Sequence, residues 1–308
     1  MPETAEPPRQ RRWRRRIALA AAGLALLVIA AFVALPWYIH LFIFRPDPLA
    51  EASPQAWGLE RGETVSFPAA DGSLLVGWWI APSEGRPVVL ILHGRSGNIS
   101  GRAPVAALLG RQGYGVLLFD YRGYGRSGGS PSEEGLFEDA LAAHDWVRRR
   151  RICAGRIVIL GQSLGNAPAA RLAASRPAAG LVLVSPFLSL PEAAADRLSW
   201  LPLGVVPWSR NRFQVGAHLA RLQIPSVLVA AGEDSLVPIE HARRVAASAR
   251  GPTRWLEDQA AGHDGLLDRI AADGRLIASL RWIAAQPGQA RCEEPVQASL
   301  ISRRRSWR

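Results

Sequence analysis

Three side chains in this sequence are of the types that nucleophilic catalysis by serine needs. They are Ser163, Asp234 and His263, in that order along 308 residues. A serine hydroxyl is a weak nucleophile at its own pKa. It therefore needs a histidine base within hydrogen-bonding reach and an acid that holds the histidine in the right tautomer. Because all three residue types are common, the surrounding sequence must show whether they can meet.

Ser163 is the candidate nucleophile because of its local sequence. Residues 161–165 have the sequence Gly-Gln-Ser-Leu-Gly, after an apolar run at 157–160 and before a helical pattern that extends to residue 175. A strand followed directly by a helix makes a sharp turn that exposes the serine hydroxyl, and the two glycines leave room for the neighbouring backbone. The motif alone also occurs in ordinary loops. Its position between a predicted strand and a predicted helix favours a nucleophile.

The candidate acid and base follow two later predicted strands. Asp234 comes after the apolar run 227–231, and His263 comes after the run 253–256. Both would lie at the carboxyl ends of strands, where open α/β sheets bind their ligands. The alternatives are a helix N-cap for Asp234 and an ordinary surface loop for His263. Their order after Ser163 favours a shared proton relay.

Two other residues could compete for these roles. Glu233 could replace Asp234 as the acid, although adjacent residues at a strand end point to opposite sides of the sheet. His241 also follows Asp234, but it falls within the helix predicted after Pro238. We therefore assign His241 to a helix surface and keep Asp234 and His263.

Acyl transfer also requires hydrogen-bond donors for the negatively charged oxygen of the intermediate. The first predicted donor is the backbone N–H of Leu164, directly after the candidate nucleophile. The second is the backbone N–H of Arg95, in the loop at 93–98 that follows the apolar run 88–92 and contains two glycines. The alternative for this segment is an ordinary glycine-containing loop.

Short apolar runs separated by helical patterns predict an α/β fold with a mostly parallel central sheet and helices on both faces. An Asp71-Gly72 turn predicts a hairpin at the start of this sheet. The predicted strands are residues 63–68, 73–80, 88–92, 115–119, 157–160, 181–184, 227–231 and 253–256. The predicted helices are residues 104–111, 133–150, 164–175, 240–249 and 266–285. Residues 186–222, which contain Trp200, Pro202, Pro207 and Trp208, fit neither pattern and predict a small cap over the site.

The two ends differ from this central part. Residues 1–16 form a basic tail with six arginines and two glutamates, and residues 17–44 form an uncharged apolar run. That run has the length of a transmembrane helix. The arginines before it predict a cytoplasmic N-terminus and a catalytic domain on the extracytoplasmic side of the cell membrane. A cleaved signal peptide is the alternative. The catalytic domain would span residues 45–290, followed by a basic tail at 291–308.

Charge and composition limit the classes of binding partner and cofactor that we expect. The net charge of +11 comes mostly from the two tails, and the central part is nearly neutral. Nucleic-acid binders interleave basic and aromatic residues on a structured surface, so we expect no nucleic acid. No His or Cys spacing fits a metal site, and the glycine-rich segment 122–129 lacks the form of a phosphate loop, so we expect neither metal nor cofactor. The pairing of Cys153 and Cys292 and the oligomeric state stay open.

Several segments together resemble a known family. They are Phe-Asp-Tyr-Arg-Gly-Tyr-Gly-Arg-Ser at 119–127, Pro-Ser-Glu at 131–133, Gly135, the His-Gly pair at 93–94, the Gly-Gln-Ser-Leu-Gly motif, Gly-Glu-Asp-Ser-Leu-Val-Pro at 232–238 and Gly-His-Asp-Gly at 262–265. Over residues 60–286 the set is similar to the Bem-like subgroup of alpha/beta hydrolases. The resemblance implies the alpha/beta-hydrolase fold, a membrane anchor and serine-hydrolase activity, with protein depalmitoylases among the members. It also implies that the tyrosine-containing stretch is mainly structural. Many relatives have Asn-Ala where this chain has Arg95-Ser96, and Arg95 could favour anionic substrates.

The sequence therefore predicts a serine hydrolase that cleaves carboxylic ester or thioester bonds through an acyl-enzyme on Ser163. A small-molecule or lipid-like acyl ester is the expected substrate, because a membrane anchor and an apolar cap suit acyl chains. A serine peptidase or amidase with the same three residues is the alternative. A non-enzymatic membrane-tethered binding protein is the competing class, but an incomplete triad would be its sign and no member is missing here.

Overall fold

The structure is a computed structural model, and it describes residues 8–48, 53–197 and 211–287. The chain divides into two compact units, Met1–Arg45 and Pro46–Arg308. The first unit contains the helix α1, Pro8–Ile43. Residues 17–44, predicted as a transmembrane helix, lie almost entirely within α1. Along the described ranges, no helix combines the length and the apolar character that a membrane crossing requires. The predicted span therefore lacks support from the structure.

The second unit is built on an eight-stranded sheet. Its strands in chain order are β1 Gly62–Pro68, β2 Leu74–Ile80, β3 Val88–Leu92, β4 Gly115–Phe119, β5 Ile157–Gln162, β6 Gly180–Val184, β7 Ser226–Ala231 and β8 Thr253–Asp258. Their spatial order is β8-β7-β6-β5-β3-β4-β2-β1. The strand β2 runs antiparallel to both β1 and β4, and the other neighbouring strands are parallel. The predicted hairpin and the predicted mostly parallel sheet are both present.

Helices cover the sheet and supply the long crossovers that parallel strands need. In the described part of the second unit they are α2 Ala103–Arg111, α3 Glu133–Arg149, α4 Asn166–Ser175, α5 Leu190–Arg197, α6 Val215–Leu219, α7 Ile239–Ser248, α8 Leu266–Ala272 and α9 Arg275–Ala284. Short 3-10 turns lie at Pro54–Trp57, Ile99–Arg102, Ala154–Arg156 and Ser163–Gly165, and two-residue strands lie at Arg45–Pro46 and Ser96–Gly97.

Both faces of the central strands are covered by helices. On one face, Val89 and Ile91 of β3 belong to a buried cluster with apolar side chains of α2, α8 and α9. The alternate residues Val88, Leu90 and Leu92 point the other way, yet they are also fully buried. Strands buried on both faces need continuous apolar sequence, which explains why the central runs lack a polar alternation.

One predicted helix needs correction, and two predicted segments lie wholly or partly outside the described residues. The single helix predicted at 266–285 is two helices, α8 and α9, because Gly274 has a φ of 84° and the Asp273 side chain accepts a hydrogen bond from the Arg275 amide at 3.0 Å. The four cap residues Trp200, Pro202, Pro207 and Trp208 lie outside the described residues, as does the tail at 291–308. Of the predicted cap, α5 and α6 are described.

The pairing state of one cysteine is also given by the structure. Cys153 is in a disulfide bond, and it precedes the 3-10 turn Ala154–Arg156. The other cysteine of the sequence, Cys292, lies outside the described residues. The sequence left open whether Cys153 is a free thiol, and the structure shows that it is not.

Candidate active site

Ser163 lies on the sharp turn between β5 and α4. Its φ is 51°, a left-handed backbone conformation that residues other than glycine rarely adopt. The strand ends at Gln162, the 3-10 turn Ser163–Gly165 follows at once, and α4 begins at Asn166. A non-glycine residue keeps such a conformation only where the surrounding structure enforces it, and these cases are concentrated at functional sites.

The two glycines of the motif are required by the packing of this turn. A Cβ atom built on Gly165 would lie 2.1 Å from the Leu92 carbonyl oxygen and 2.5 Å from that of His93. A Cβ atom on Gly161 would lie 2.8 Å from the Cα atom of Asn166. All three distances are too short for a Cβ atom. The tight fit holds the start of α4 against β3 and fixes the position of Ser163.

The structure brings the three predicted residues together in one hydrogen-bonded chain. The Ser163 Oγ atom lies 2.8 Å from His263 Nε2. On the other side of the ring, His263 Nδ1 lies 2.7 Å from Asp234 Oδ2 and 3.0 Å from Oδ1. Asp234 and His263 follow the parallel strands β7 and β8, so their loops meet at the same edge of the sheet as the turn at Ser163.

The acid of this chain is held as a carboxylate. Burial on its own raises the pKa of Asp234, but hydrogen bonds outweigh that effect. The bond from His263 and the backbone amides of Val237 and Leu236, at 2.7 Å and 2.8 Å, together lower the Asp234 pKa below its ordinary value. An ionised Asp234 accepts a hydrogen bond from the Nδ1–H of His263, which leaves Nε2 unprotonated and able to accept the serine proton.

The two predicted oxyanion donors lie on either side of the serine. Leu164 directly follows Ser163 and is buried. A Cβ atom built on Gly94 would lie 3.5 Å from the Ser163 Cβ atom, so the loop that carries Arg95 passes beside the nucleophile. This loop continues from β3, whose carboxyl end adjoins the end of β5. The backbone of the loop after β3 therefore lies near the turn at Ser163.

The competing residues lie elsewhere. Glu233 is exposed, whereas the Asp234 side chain is only 3% exposed. The prediction that His241 lies on a helix surface is wrong, because His241 is 1% exposed. Its Nδ1 accepts a long hydrogen bond from the Leu188 amide at 3.4 Å, and its Nε2 lies 2.8 Å from Asp196 Oδ2. It is therefore a buried contact between α7 and the segment that includes α5.

One neighbour of the nucleophile was missed by the sequence interpretation. The Arg102 Nε atom donates a hydrogen bond to the side-chain oxygen of Gln162, the residue before Ser163. Burial lowers the pKa of Arg102, and the nearby Asp268 and Asp264 act against that shift. The two residues of the bond are 60 positions apart, and no local motif marks the pair. Among the described residues, no group of three or more His, Cys, Asp or Glu side chains has an arrangement that could hold a metal ion.

Comparison with known proteins agrees with this architecture. Residues 83–216 match a family described as "Serine aminopeptidase, S33". The uncharacterized protein Rv2307c of Mycobacterium tuberculosis is 36% identical over 270 residues, which cover 86% of this chain and 93% of that protein. The uncharacterized protein YfhR of Salmonella typhimurium is 30% identical over 261 residues, 77% of this chain and 85% of that protein. The lysophosphatidylserine lipase ABHD12 of Danio rerio is 27% identical over 258 residues, 72% of this chain and 65% of that protein.

Solved structures share the fold. An esterase of Pyrococcus furiosus, Pf2001, superposes with a TM-score of 0.62 at 22% identity, over 78% of this chain and 97% of that one. An alpha-beta hydrolase of Vibrio vulnificus gives a TM-score of 0.60 at 22% identity, over 76% of this chain and 96% of that one. These likenesses define the class of fold, that of the alpha/beta hydrolases. This chain belongs to the same family as Rv2307c and YfhR, and its fold is that of the alpha/beta hydrolases.

Proposed function

We propose that this protein is a serine hydrolase that cleaves carboxylic ester or thioester bonds. The observation that carries the proposal is the hydrogen bond of 2.8 Å between Ser163 Oγ and His263 Nε2. In the proposed reaction, His263 accepts the serine proton while Oγ attacks the carbonyl carbon of the substrate. Asp234 holds the ring and stabilises the positive charge that develops on it.

The rest of the reaction uses the same groups. The carbonyl oxygen becomes negatively charged, and the amides of Leu164 and Arg95 are the proposed donors to it. His263 then gives its proton to the leaving alcohol or thiol, which departs and leaves an acyl group on Ser163. Water, deprotonated by His263, attacks this acyl group. The acid is released and the serine is regenerated.

The relatives support an ester substrate with an acyl chain. One is named as a lysophosphatidylserine lipase and a solved structure of the same fold is named as an esterase. We propose a lipid-like acyl ester as the substrate class for this chain. The alternative is a peptidase or amidase reaction, which the matched family description "Serine aminopeptidase, S33" favours. Both reactions would use Ser163, His263 and Asp234.

Labelling of the serine tests the mechanism. A fluorophosphonate probe should label the wild-type protein covalently, and the Ser163→Ala variant should not be labelled. Ser185→Ala is a matched control, because Ser185 also has a positive φ, of 48°, and follows the neighbouring strand β6. Labelling of Ser163→Ala at the wild-type rate would refute Ser163 as the nucleophile, and absence of labelling in the wild type would favour the non-enzymatic binding protein.

The substrate class needs a separate assay. Rates should be compared for p-nitrophenyl esters of increasing acyl length, for acyl thioesters and for aminoacyl p-nitroanilides. Esters or thioesters should be turned over faster than anilides. A preference for anilides would select the aminopeptidase alternative. Arg95→Ala, compared across anionic and neutral esters, would show whether the Arg95 side chain selects negatively charged substrates.

We further propose a location at the cell membrane, with the N-terminus in the cytoplasm and the catalytic unit outside it, as the arginines before the apolar run indicate. The support is the uncharged run 17–44 in the sequence and the large apolar side chains that α1 leaves exposed, among them Leu24, Leu26 and Leu27 at 64%, 67% and 69%. The described part of the chain contains no helix that meets the requirements of a span. Cell fractionation followed by external protease treatment of spheroplasts tests the location. Recovery in the soluble fraction would refute it.

A further inference from the structure

Residues 120–125 have no part in the reaction proposed above, although their sequence, Asp-Tyr-Arg-Gly-Tyr-Gly, is distinctive. They directly follow β4, and β4 pairs in parallel with β3. The segment 93–95 directly follows β3. Parallel neighbours end at the same edge of the sheet, so the two segments lie side by side next to Ser163.

Three aromatic rings form a buried cluster, His93, Tyr121 and Tyr124, which we call the ring cluster. The centroid of the His93 ring lies 4.4 Å from that of Tyr121 and 5.1 Å from that of Tyr124. All three side chains are 1% exposed or less. Packed rings of this kind have little freedom to rotate, so their polar atoms occupy fixed positions.

The ring cluster donates one hydrogen bond to each of three consecutive backbone carbonyls. The Tyr121 hydroxyl donates to the His93 carbonyl at 3.3 Å, and the Tyr124 hydroxyl donates to the Arg95 carbonyl at 2.8 Å. Between them, His93 Nδ1 lies 2.8 Å from the carbonyl of Gly94. A carbonyl oxygen can only accept, so Nδ1 carries the proton of the ring.

The middle bond determines where one amide points. The Gly94 carbonyl and the Arg95 N–H belong to the same planar trans peptide unit, in which the two groups point in opposite directions. Because the carbonyl faces the buried ring of His93, the Arg95 N–H faces away from the ring cluster. The hydroxyl bonds to the His93 and Arg95 carbonyls hold the peptide planes on either side, which leaves the middle plane little room to rotate.

The protonation states fit these donor roles. Burial lowers the pKa of His93 to about 3, so the ring is neutral and carries a single proton at neutral pH. Burial, together with the neighbouring Tyr124 and Asp139, raises the pKa of Tyr121 well above its ordinary value, so its hydroxyl remains a donor. The hydrogen bonds from His93 and Tyr121 therefore persist through the neutral pH range.

We propose that Tyr121 and Tyr124, through the ring cluster, are positioning residues that hold the Arg95 amide as an oxyanion donor. This inference rests on the proposed function and gives the tyrosine-containing motif a part in it. Neither hydroxyl touches the reacting atoms. Their hydrogen bonds keep the peptide unit of Gly94 and Arg95 in one orientation before the negative charge develops. The Arg95 amide then needs no reorientation during the reaction.

The test compares Tyr124→Phe with Tyr114→Phe as a matched control. Tyr114 is also buried, at 2%, but it precedes the first residue of β4 and therefore lies at the opposite edge of the sheet. For Tyr124→Phe we expect kcat on a chromogenic ester to fall about 10-fold or more, with KM within about twofold of the wild-type value. Inhibition by an alkylboronic acid, whose serine adduct carries a tetrahedral negative charge, should weaken by a similar factor. Tyr114→Phe should leave all three values unchanged.

Tyr121→Phe is a second variant, which removes a different bond of the ring cluster. The bond from Tyr121 to the His93 carbonyl is longer than that from Tyr124, so we expect a smaller loss of kcat. Thermal unfolding of each variant shows whether it is folded. A loss of kcat in both variants without weaker boronic acid binding would overturn the proposal, as would kinetics equal to those of Tyr114→Phe. Absence of fluorophosphonate labelling in the wild type would overturn the proposed function and this inference together. Normal labelling with unchanged kinetics in both variants would overturn this inference alone.

Discussion

Gly165→Ala adds one methyl group at the tightest point of the site. Gly165 has φ −62° and ψ −14°, a right-handed helical conformation that alanine adopts readily. Backbone preference alone would therefore make the change stabilising, by roughly 0.4–1 kcal/mol. The expected effect has the opposite sign because of a collision. The new methyl carbon would lie 2.1 Å from the Leu92 carbonyl oxygen and 2.5 Å from that of His93.

The size of the effect follows from which atoms must move. Leu92 is the last residue of the central strand β3 and pairs with Gly161 of β5, so its carbonyl is held by the sheet. Relief of the contact requires a displacement of about 1 Å at the start of α4 and at Ser163, and a misplacement of that size can cost about 10²-fold in rate. Overpacking of this kind lowers the free energy of unfolding by about 1–3 kcal/mol.

Two measurements check this prediction. The kcat/KM for a chromogenic ester and the rate of fluorophosphonate labelling should each fall about 10²-fold, and urea unfolding should show the loss of stability. Gly101→Ala is the matched control, because nothing lies within 4 Å of a Cβ atom at Gly101. If Gly165→Ala matched Gly101→Ala in labelling rate and in stability, the reasoning that this contact fixes Ser163 would be refuted.

Three further predictions concern Asp234 and two other buried carboxyl groups, Asp139 and Asp120. Asp234→Asn should lower kcat by about 10³-fold to 10⁴-fold with little change in KM, because an amide no longer selects the required tautomer of His263. A kcat within tenfold of the wild-type value in steady-state assays would exclude Asp234 as the acid. Arg122→Ala should lower the free energy of unfolding in urea by about 3–5 kcal/mol. The substitution removes the guanidinium nitrogen that lies 2.8 Å from the Asp139 carboxylate and leaves this buried charge unpaired. A loss below about 1 kcal/mol would contradict this prediction. Burial raises the pKa of Asp120 to about 7 from 3.8, so the unfolded chain ionises Asp120 first and the contribution of Asp120 to stability falls as pH rises from about 4 to 7. Asp120→Asn should flatten that fall in urea unfolding measured across this range, and a parallel pH dependence in both proteins would refute the shift.

The proposed reaction accommodates both esters and amides, which differ in the leaving group. An ester and an amide form the same acyl group on Ser163, but the amide leaving group must be protonated as it departs. The hydrogen bond from Ser163 to His263 places the required acid at that position in either case. The choice between them therefore lies in the surfaces that contact the substrate, which is why the comparison of ester and anilide rates is informative.

Much of the fold and of the site was predictable because the signals are local. The strand before Ser163, the glycines around it and the helix after it are neighbours in sequence, and the sharp turn results from their short-range sterics. The strands were predictable for a similar reason, since a strand covered on both faces must be apolar throughout. The break at Gly274 was missed because a single glycine is tolerated within helices and does not by itself end one.

Only the tertiary structure decided how distant residues meet. His263 lies 100 positions from Ser163, and their distance of 2.8 Å depends on the register of four parallel strands, β5 to β8, and on the loops that follow them. The burial of His241 against Asp196 and the bond from Tyr124 to the Arg95 carbonyl also join separate segments. The sequence by itself determined which residues could react and in which order they occur. The packing of separate elements determined their distances, because no short stretch of chain encodes the path of another.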